Sequence, residues 1–244
     1  MNAAYYLHLN LWRAVDLLYP PVCTGCGSPN FRLCPNCYEE INIIHFKFCA
    51  FCGKPINGES PLCSDCANTP IFFSAATAWG KYDGVLRTAI HALKFKNDVG
   101  LGDFFASQLI DILKEKNWDF DVVIPVPLSR ERRKERSYNQ SALLSRPIAR
   151  YFGKKHPSKA LLRTIDTGSQ IHRNKIDRNL FLEGAFWGNP AKLNGRKVLL
   201  VDDIITTGAT INHCSSALSE AGASQVSVIA IAKTFRSTQD GSED

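Results

Sequence analysis

Residues 198–210 read VLLVDDIITTGAT, and this stretch decides the fold. Four apolar residues, typical of a strand buried on both faces, precede two adjacent carboxylates, Asp202 and Asp203. Small hydroxylated residues around Gly208 then lead into a predicted helix. A glycine loop at a helix N-terminus favours a bound phosphate, whereas the acids suit sugar hydroxyls, directly or through a divalent metal. The stretch therefore predicts a site for a phosphorylated sugar, such as ribose 5-phosphate, at the end of a core strand.

The chain after residue 70 alternates predicted strands with predicted helices. Apolar, β-branched runs predict strands at 75–83, 120–126, 161–164, 197–201 and 225–232. Helical periodicity predicts helices at 85–96, 101–116, 137–152 and 209–221, the last with Gly222 as its C-cap. This alternation predicts an α/β fold with a mostly parallel sheet flanked by helices, and ligands at the carboxyl ends of the strands.

Eight of the nine cysteines form four Cys-x2-Cys pairs in the first seventy residues. The pairs are Cys23 and Cys26, Cys34 and Cys37, Cys49 and Cys52, and Cys63 and Cys66. Two such pairs supply the four sulfurs of a structural zinc site, so we predict one or two Zn²⁺ ions. We prefer sequential pairing over a cross-braced one, and redox chemistry is the weaker alternative. The ninth, Cys214, is expected to be a core residue.

Composition sets the broad class of the protein. With 244 residues, 45% hydrophobic, 21% charged and a net charge of +6, the chain has an ordinary globular composition that permits an anionic partner. Lacking a long apolar run or an export signal, it is expected to be cytoplasmic, without membrane insertion. We predict a helix and double zinc-ribbon module at 1–70, the α/β domain at 71–236 and a disordered tail at 237–244. In the N-terminal helix Leu7, Leu11, Val15 and Leu18 recur at helical spacing.

Residues 198–210 resemble the thirteen-residue phosphoribosyl-pyrophosphate (PRPP) motif of type I phosphoribosyltransferases. The order of the whole chain is similar to the ComF/GntX-like family: a cysteine-rich N-terminus, IPVPLSRERRKERSYNQ at 124–140, SQIHRNKIDRNLFLEGAF at 169–186, then the motif. That family is associated with natural DNA uptake. The resemblance implies a type I phosphoribosyltransferase-like fold, PRPP with Mg²⁺ as ligands, and displacement of pyrophosphate onto an unidentified acceptor.

The resemblance also implies roles for individual residues. Asp202 and Asp203 are the expected catalytic acids, which would orient the ribose. The expected PRPP contacts are Ser129, Arg130, Thr206, Thr207, Gly208, Ala209 and Thr210. Residues 163–186 resemble the flexible loop that closes over PRPP, and the matching positions are Gln170, Arg173, Arg178 and Asn179. The last two have the alternative role of anchoring the loop's return.

Residues 130–136, RERRKER, hold five basic residues in seven. At helical spacing three of them lie near one another and are candidates to contact phosphates of PRPP or nucleic acid; they are Arg132, Arg133 and Arg136. A solvated charged face is the alternative. Ser137 stands where the resemblance implies glycine, so the chain departs from the family pattern at this turn. Asp83 and Lys94 match the family as well, and Lys94 is equally consistent with a surface lysine.

Two function classes follow from these residues. The first is a PRPP-using transferase linked to DNA uptake, whose partners include proteins of the uptake machinery. The alternative is a protein that handles single-stranded DNA and whose phosphoribosyl site binds ligand without turnover. The zinc module either caps the phosphoribosyl site or contacts DNA.

Overall fold

The computed structural model describes residues 16–17, 19–164 and 184–235. Its helices are α1 Pro35–Glu39, α2 Gly84–Phe95, α3 Leu101–Lys116, α4 Arg130–Arg136, α5 Gln140–Tyr151, α6 Pro190–Leu193 and α7 Ala209–Glu220, with a 3-10 turn at Ser64–Cys66. Its strands are β1 Ala75–Lys81, β2 Val122–Pro125, β3 Leu161–Arg163, β4 Phe186–Gly188, β5 Lys197–Ile205 and β6 Gln225–Lys233. Outside the described residues lie most of the predicted N-terminal helix, the tail, and Gln170, Arg173, Arg178 and Asn179 of the predicted flexible loop.

A four-stranded parallel sheet forms the centre of the molecule, in the order β1-β6-β5-β2. Side chains alternate along its strands. Leu199 and Val201 face a core built with α2, α3 and α5, whereas Val198 and Leu200 face a second core that includes α7. Both faces of the sheet are therefore covered, and the α/β fold predicted from the sequence is confirmed. No helix in the described ranges is long and apolar enough to cross a bilayer.

A separate antiparallel pair, β3 and β4, brackets the segment predicted as a flexible loop. Arg163 on β3 stands opposite Phe186 on β4. The two ends of that segment therefore leave and rejoin the domain side by side.

The cysteine-rich module lies along the free edge of β1 and reaches both faces of the sheet. Between its two halves, the backbone N–H of Ile44 donates to the carbonyl of Trp79 at 2.9 Å. The N–H of Lys81 in turn donates to the carbonyl of Asn42 at 2.8 Å. The first half contributes three cysteines to the α2–α3 core; the second contributes Phe48 to the α7 core. The module thus protects an edge strand from pairing with other chains and stands against both layers.

Among the predicted boundaries that differ from the structure, two bear on the site. The strand predicted at 197–201 continues to Ile205, so Asp202 and Asp203 belong to β5. The helix predicted from residue 137 begins at Gln140, because Ser137 adopts the left-handed region with φ +60° and ends α4. That conformation is costly for serine and free for glycine.

Candidate functional site

The two acids of β5 lie close together in partly buried positions near the carboxyl end of the sheet. Asp202 Oδ1 accepts a hydrogen bond from Ser141 Oγ at 3.1 Å and from the Asp203 backbone N–H at 2.8 Å. Burial, and then the neighbouring charge of Asp203, raise the pKa of Asp202 to about 7. A ligand that donates hydrogen bonds to Asp202 therefore favours its carboxylate form.

Cations surround Asp203. Lys94 Nζ on α2 lies 3.0 Å from Asp203 Oδ1, and the two side chains are only 14% and 13% exposed. Lys94 is thus part of the acid pair's surroundings and not a surface lysine. Arg136 is also buried nearby, and the negative charge of Asp203 partly opposes the lowering of its pKa by burial. The two acids therefore sit in a region where positive charge offsets negative charge.

The loop after β5 places backbone N–H groups at the start of α7. Gly208 is the N-cap of that helix with φ +76°, and the Asn212 N–H donates to its carbonyl at 3.0 Å. A β-carbon at Gly208 would lie 2.9 Å from the Ala50 carbonyl oxygen, so no other residue fits without movement. The predicted contacts Thr206, Thr207, Ala209 and Thr210 flank this glycine in the same turn. The helix N-terminus forms an anion-binding geometry within a few residues of the acids.

The loop after β2 is tied to the acids by a chain of hydrogen bonds. The Val126 N–H donates to the Val201 carbonyl at 2.9 Å, and Asn139 Nδ2 donates to the Val126 carbonyl at 2.9 Å. Asn139 Oδ1 accepts from the Ser141 N–H at 3.0 Å and so caps α5. Ser141 completes the chain at Asp202, which makes it a site residue that sequence reasoning missed. Its capping asparagine was a local signal, but its reach to Asp202 depends on how α5 packs against the sheet.

Ser129 and Arg130, two of the predicted PRPP contacts, have different surroundings. Ser129 is buried, and its hydroxyl accepts from the Arg132 N–H at 3.3 Å, so it caps α4. Arg130, the first residue of α4, is exposed. Asp83, another candidate, accepts from Asn42 Nδ2 at 3.1 Å and faces the zinc module.

The arginine run forms helix α4, which was not among the predicted helices, and the structure separates its members. Arg132 and Arg133 are exposed. Arg136 is turned inward, with its guanidinium carbon 4.6 Å from the centre of the Phe95 ring. The charges of Arg136 and Asp203 therefore interact, whereas Arg132 and Arg133 face solvent.

Three buried polar atoms have no hydrogen-bond partner among the described residues. They are Arg136 Nε and both amide atoms of Gln140, whose side chain is fully buried next to Ser141 in the sequence. Buried polar atoms are nearly always paired in native proteins, so an orphan calls for a ligand or an ordered water. Arg136 Nε can donate to an anionic oxygen, and the Gln140 amide can both donate and accept.

The eight paired cysteines form two clusters. One consists of Cys23, Cys26, Cys34 and Cys37, and the other of Cys49, Cys52, Cys63 and Cys66. Within each cluster the four sulfurs lie within 4.8 Å of one another, as tetrahedral Zn–S bonds of about 2.3 Å require. Two structural zinc sites with sequential pairing are therefore supported over the cross-braced arrangement. Cys214 lies apart and fully buried, and burial raises the pKa of its thiol, which confirms it as a core residue.

Comparison with known proteins agrees with this architecture. Residues 14–67 match the double zinc ribbon domain, and residues 102–243 match the phosphoribosyl transferase domain. Competence protein ComFC of Bacillus subtilis is 28% identical over 218 residues, covering 86% of this chain and 84% of that protein. Competence protein F of Haemophilus influenzae is 28% identical over 208 residues, covering 82% and 90%. DNA utilization protein YhgH of Escherichia coli K12 is 27% identical over 228 residues, covering 90% and 100%.

Among solved structures, glutamine PRPP amidotransferase from B. subtilis aligns with a TM-score of 0.36 and 24% identity. The alignment covers 54% of this chain and 25% of that enzyme. The match to the phosphoribosyl transferase domain covers more than half of the chain. The chain therefore belongs to the phosphoribosyl transferase domain family, in the ComF-type arrangement in which a double zinc ribbon precedes that domain.

Proposed function

We propose that this protein binds PRPP at the end of β5 and transfers its phosphoribosyl group to an acceptor. The observation that carries the proposal is that one short loop connects the two acids at the end of β5 to the N-terminus of α7. Asp202 and Asp203 suit the ribose hydroxyls, and the turn at Gly208 suits the 5-phosphate. Arg136 and Lys94 add positive charge beside the acids. A ligand that is both a diol and a phosphate satisfies both halves.

The proposed reaction is a substitution at the ribose C1 carbon. The bond from C1 to the pyrophosphate oxygen breaks, pyrophosphate leaves with the electron pair, and the acceptor bonds to C1 and gives up a proton. Positive charge develops on the sugar ring, and the carboxylates of Asp202 and Asp203 stabilise it. Mg²⁺, when bound with PRPP, would neutralise the leaving diphosphate. Ser141 holds Asp202 in position through the bond at 3.1 Å.

We also propose that the activity serves DNA uptake or DNA utilization. The support is the printed names of the relatives, two of which are competence proteins and one a DNA utilization protein, matched over at least 82% of this chain. Proteins of an uptake machinery are accordingly the proposed partners.

Measurement of pyrophosphate release tests the transferase proposal. The wild-type protein is incubated with PRPP, Mg²⁺ and pools of candidate acceptors, beside a variant with alanine at both Asp202 and Asp203. Release by the wild type that the double variant lacks supports the proposal. Release that is unchanged in the double variant contradicts the assigned roles, and wild type that binds PRPP but releases no pyrophosphate with any acceptor favours a site without turnover.

A second candidate function, binding of single-stranded DNA, is favoured by a basic cavity. This shallow cavity of about 400 Å³ lies at the C-terminal end of α5, opposite the end that carries Ser141. Four of its six lining residues have basic side chains, and none of the six is acidic; the basic ones are Arg146, Arg150, Lys154 and His156. Burial, and then the charge of Arg146, lower the pKa of His156, as expected where positive groups face one another. Phosphodiester groups would relieve that repulsion.

Fluorescence anisotropy with a labelled single-stranded oligonucleotide tests this second function. Two double variants, R146A/R150A and R132A/R133A, are compared across a salt titration. Each arginine that contacts a phosphate contributes about one unit to the slope of log affinity against log salt. A smaller slope in R146A/R150A places the DNA at the cavity, whereas a smaller slope only in R132A/R133A places it on α4. Absence of binding by the wild type contradicts this function.

A further inference from the structure

The second half of the zinc module lies directly behind the loop that begins α7. Ala50 and Phe51 are the two residues between Cys49 and Cys52 of the second cysteine cluster. The ideal β-carbon position of Gly208 lies 2.9 Å from the Ala50 carbonyl oxygen and 3.4 Å from Phe51 Cδ1. We call residues 49–52 the second zinc knuckle and residues 206–208 the phosphate loop. The backbone of this knuckle therefore touches the backbone of the loop.

A buried lysine joins the same two segments. Lys233, the last residue of β6, is fully buried, which is rare for lysine unless its ammonium group is hydrogen-bonded. Its Nζ donates to the Phe51 carbonyl at 3.4 Å and also to the Thr206 carbonyl. One ammonium group thus bridges the knuckle and the first threonine of the loop.

Two further residues join the start of α7 and the end of β6 to the module and to the segment that follows it. Asn212, in the first turn of α7, donates from Nδ2 to the Pro70 carbonyl at 2.9 Å. Its Oδ1 accepts from the Phe72 N–H at 3.1 Å. After β6, Phe235 contacts the aromatic rings of Phe46 and Phe48, with ring centres 5.8 and 5.9 Å away.

The first cysteine cluster makes none of these contacts among the described residues. Its side chains pack in the α2–α3 core on the other face of the sheet. Gly25 of this half approaches Val85, at the start of α2, and Arg32 pairs with Asp98 at 2.9 Å. The two zinc sites therefore support different parts of the domain.

We propose that the second zinc knuckle is a functional part of the PRPP site, with Lys233 as the positioning residue that couples them. Zinc at Cys49, Cys52, Cys63 and Cys66 holds the knuckle's carbonyl groups in place. Through Lys233 and Gly208 those carbonyl groups hold the loop in its phosphate-binding conformation. The inference rests on the proposed PRPP binding and deepens it, because it assigns the two zinc ions different roles. Since coupling between two sites is reciprocal, PRPP must also stabilise the second zinc ion.

The test measures zinc release from the zinc-loaded, full-length protein. A chromogenic chelator is added with and without PRPP, in excess Mg²⁺, after calorimetry has established whether PRPP binds. At equilibrium with the chelator, we expect PRPP to raise the affinity of the protein for one of the two zinc ions about tenfold, which corresponds to a coupling of about 1.4 kcal/mol. The first zinc ion serves as an internal control, because direct chelation by PRPP would affect both.

Variants identify which zinc ion is coupled. C26S and C66S each change an accessible ligand of one cluster. PRPP should reduce the zinc released at equilibrium from C26S, which keeps the second ion, and should have no effect in C66S, which keeps the first. The reverse pattern overturns the inference, and so does equal release of both ions from the wild type with PRPP bound. Should calorimetry detect no PRPP binding to the wild type, the proposed function and the coupling both fall.

Lys233→Met separates coupling from simple support of the fold. Methionine has a similar length but cannot donate to the two carbonyl groups. We expect this variant to keep both zinc ions, to bind PRPP about tenfold more weakly, and to lose the protection of the second ion. A variant that is less stable to heat yet retains full protection would show that Lys233 is structural only. Partial return of protection in Lys233→Arg supports a role for the donated hydrogen bonds.

Discussion

Replacement of Gly208 by alanine tests whether the phosphate loop is held against the zinc module. Two costs arise at this position. The left-handed backbone, φ +76°, costs an L-residue about 1–2 kcal/mol. The new β-carbon, 2.9 Å from the Ala50 carbonyl oxygen, forces backbone to move, and such overpacking costs about 1–3 kcal/mol.

Gly195→Ala is the matched control. Gly195 has a similar backbone conformation, φ +69°, but no atom lies within 4 Å of its ideal β-carbon. Gly195→Ala should lower the free energy of unfolding by the conformational term alone, about 1–2 kcal/mol. The difference between the two variants, about 1–3 kcal/mol, therefore measures the contact with Ala50.

Urea unfolding monitored by tryptophan fluorescence compares the stabilities, and calorimetry compares PRPP binding. We expect Gly208→Ala to be the less stable variant and to bind PRPP at least about tenfold more weakly, the loss of roughly one charge-assisted hydrogen bond. Gly195→Ala should bind PRPP as the wild type does. Equal destabilisation by both substitutions, or unchanged PRPP affinity in Gly208→Ala, would refute this account of the loop.

Four other outcomes are expected. Because the pKa of Asp202 is raised to about 7, its contribution to stability in the free protein is present below about pH 4 and is lost as the pH rises through 7. Asp202→Asn should remove this dependence of the free energy of unfolding on pH, measured by urea unfolding from pH 4 to 8. An unchanged dependence in the variant contradicts the shift. PRPP affinity of the wild type should rise over pH 6–8 more steeply than that of Asp202→Asn, since titration of the PRPP phosphates is common to both. Lys94→Ala should lower the free energy of unfolding by about 1–3 kcal/mol, because Asp203 loses its partner at 3.0 Å. The double variant with Lys94→Met and Asp203→Asn should restore part of that loss. No loss of stability in the single variant would show that the pair is not stabilising. Native mass spectrometry should find two zinc ions, and removal by a chelator should change the circular dichroism of the module first; a metal-free protein with an unchanged spectrum contradicts the zinc assignment.

Local patterns predicted the features that depend on neighbouring residues. The apolar runs at 197–201 and 225–232 predicted the two central strands, and the spacing of the cysteine pairs predicted both clusters. Gly208 was predicted as a loop glycine because its requirement is local to the turn. Each of these features follows from a few consecutive residues.

Features that depend on tertiary packing were not predictable from the sequence. Lys94 is one helix position among several that could face solvent, and only the packing of α2 brings it to Asp203. Ser141 reaches Asp202 because α5 packs beside β5, although 61 residues separate them in the chain. Lys233 ends an apolar strand and looks like a solvent-exposed terminus. Its burial results from the zinc knuckle that covers it, and nothing near it in the sequence indicates that contact.

Calorimetric titration of the zinc-loaded protein with PRPP and Mg²⁺ is the most direct test of the central claim. Wild-type protein should bind one PRPP per chain. Asparagine at both Asp202 and Asp203 should weaken that binding about a hundredfold, as the loss of two hydrogen bonds to charged groups implies. Wild-type protein that takes up no PRPP, or a double variant that binds it equally well, would contradict the assignment of these acids and their loop to a phosphorylated pentose.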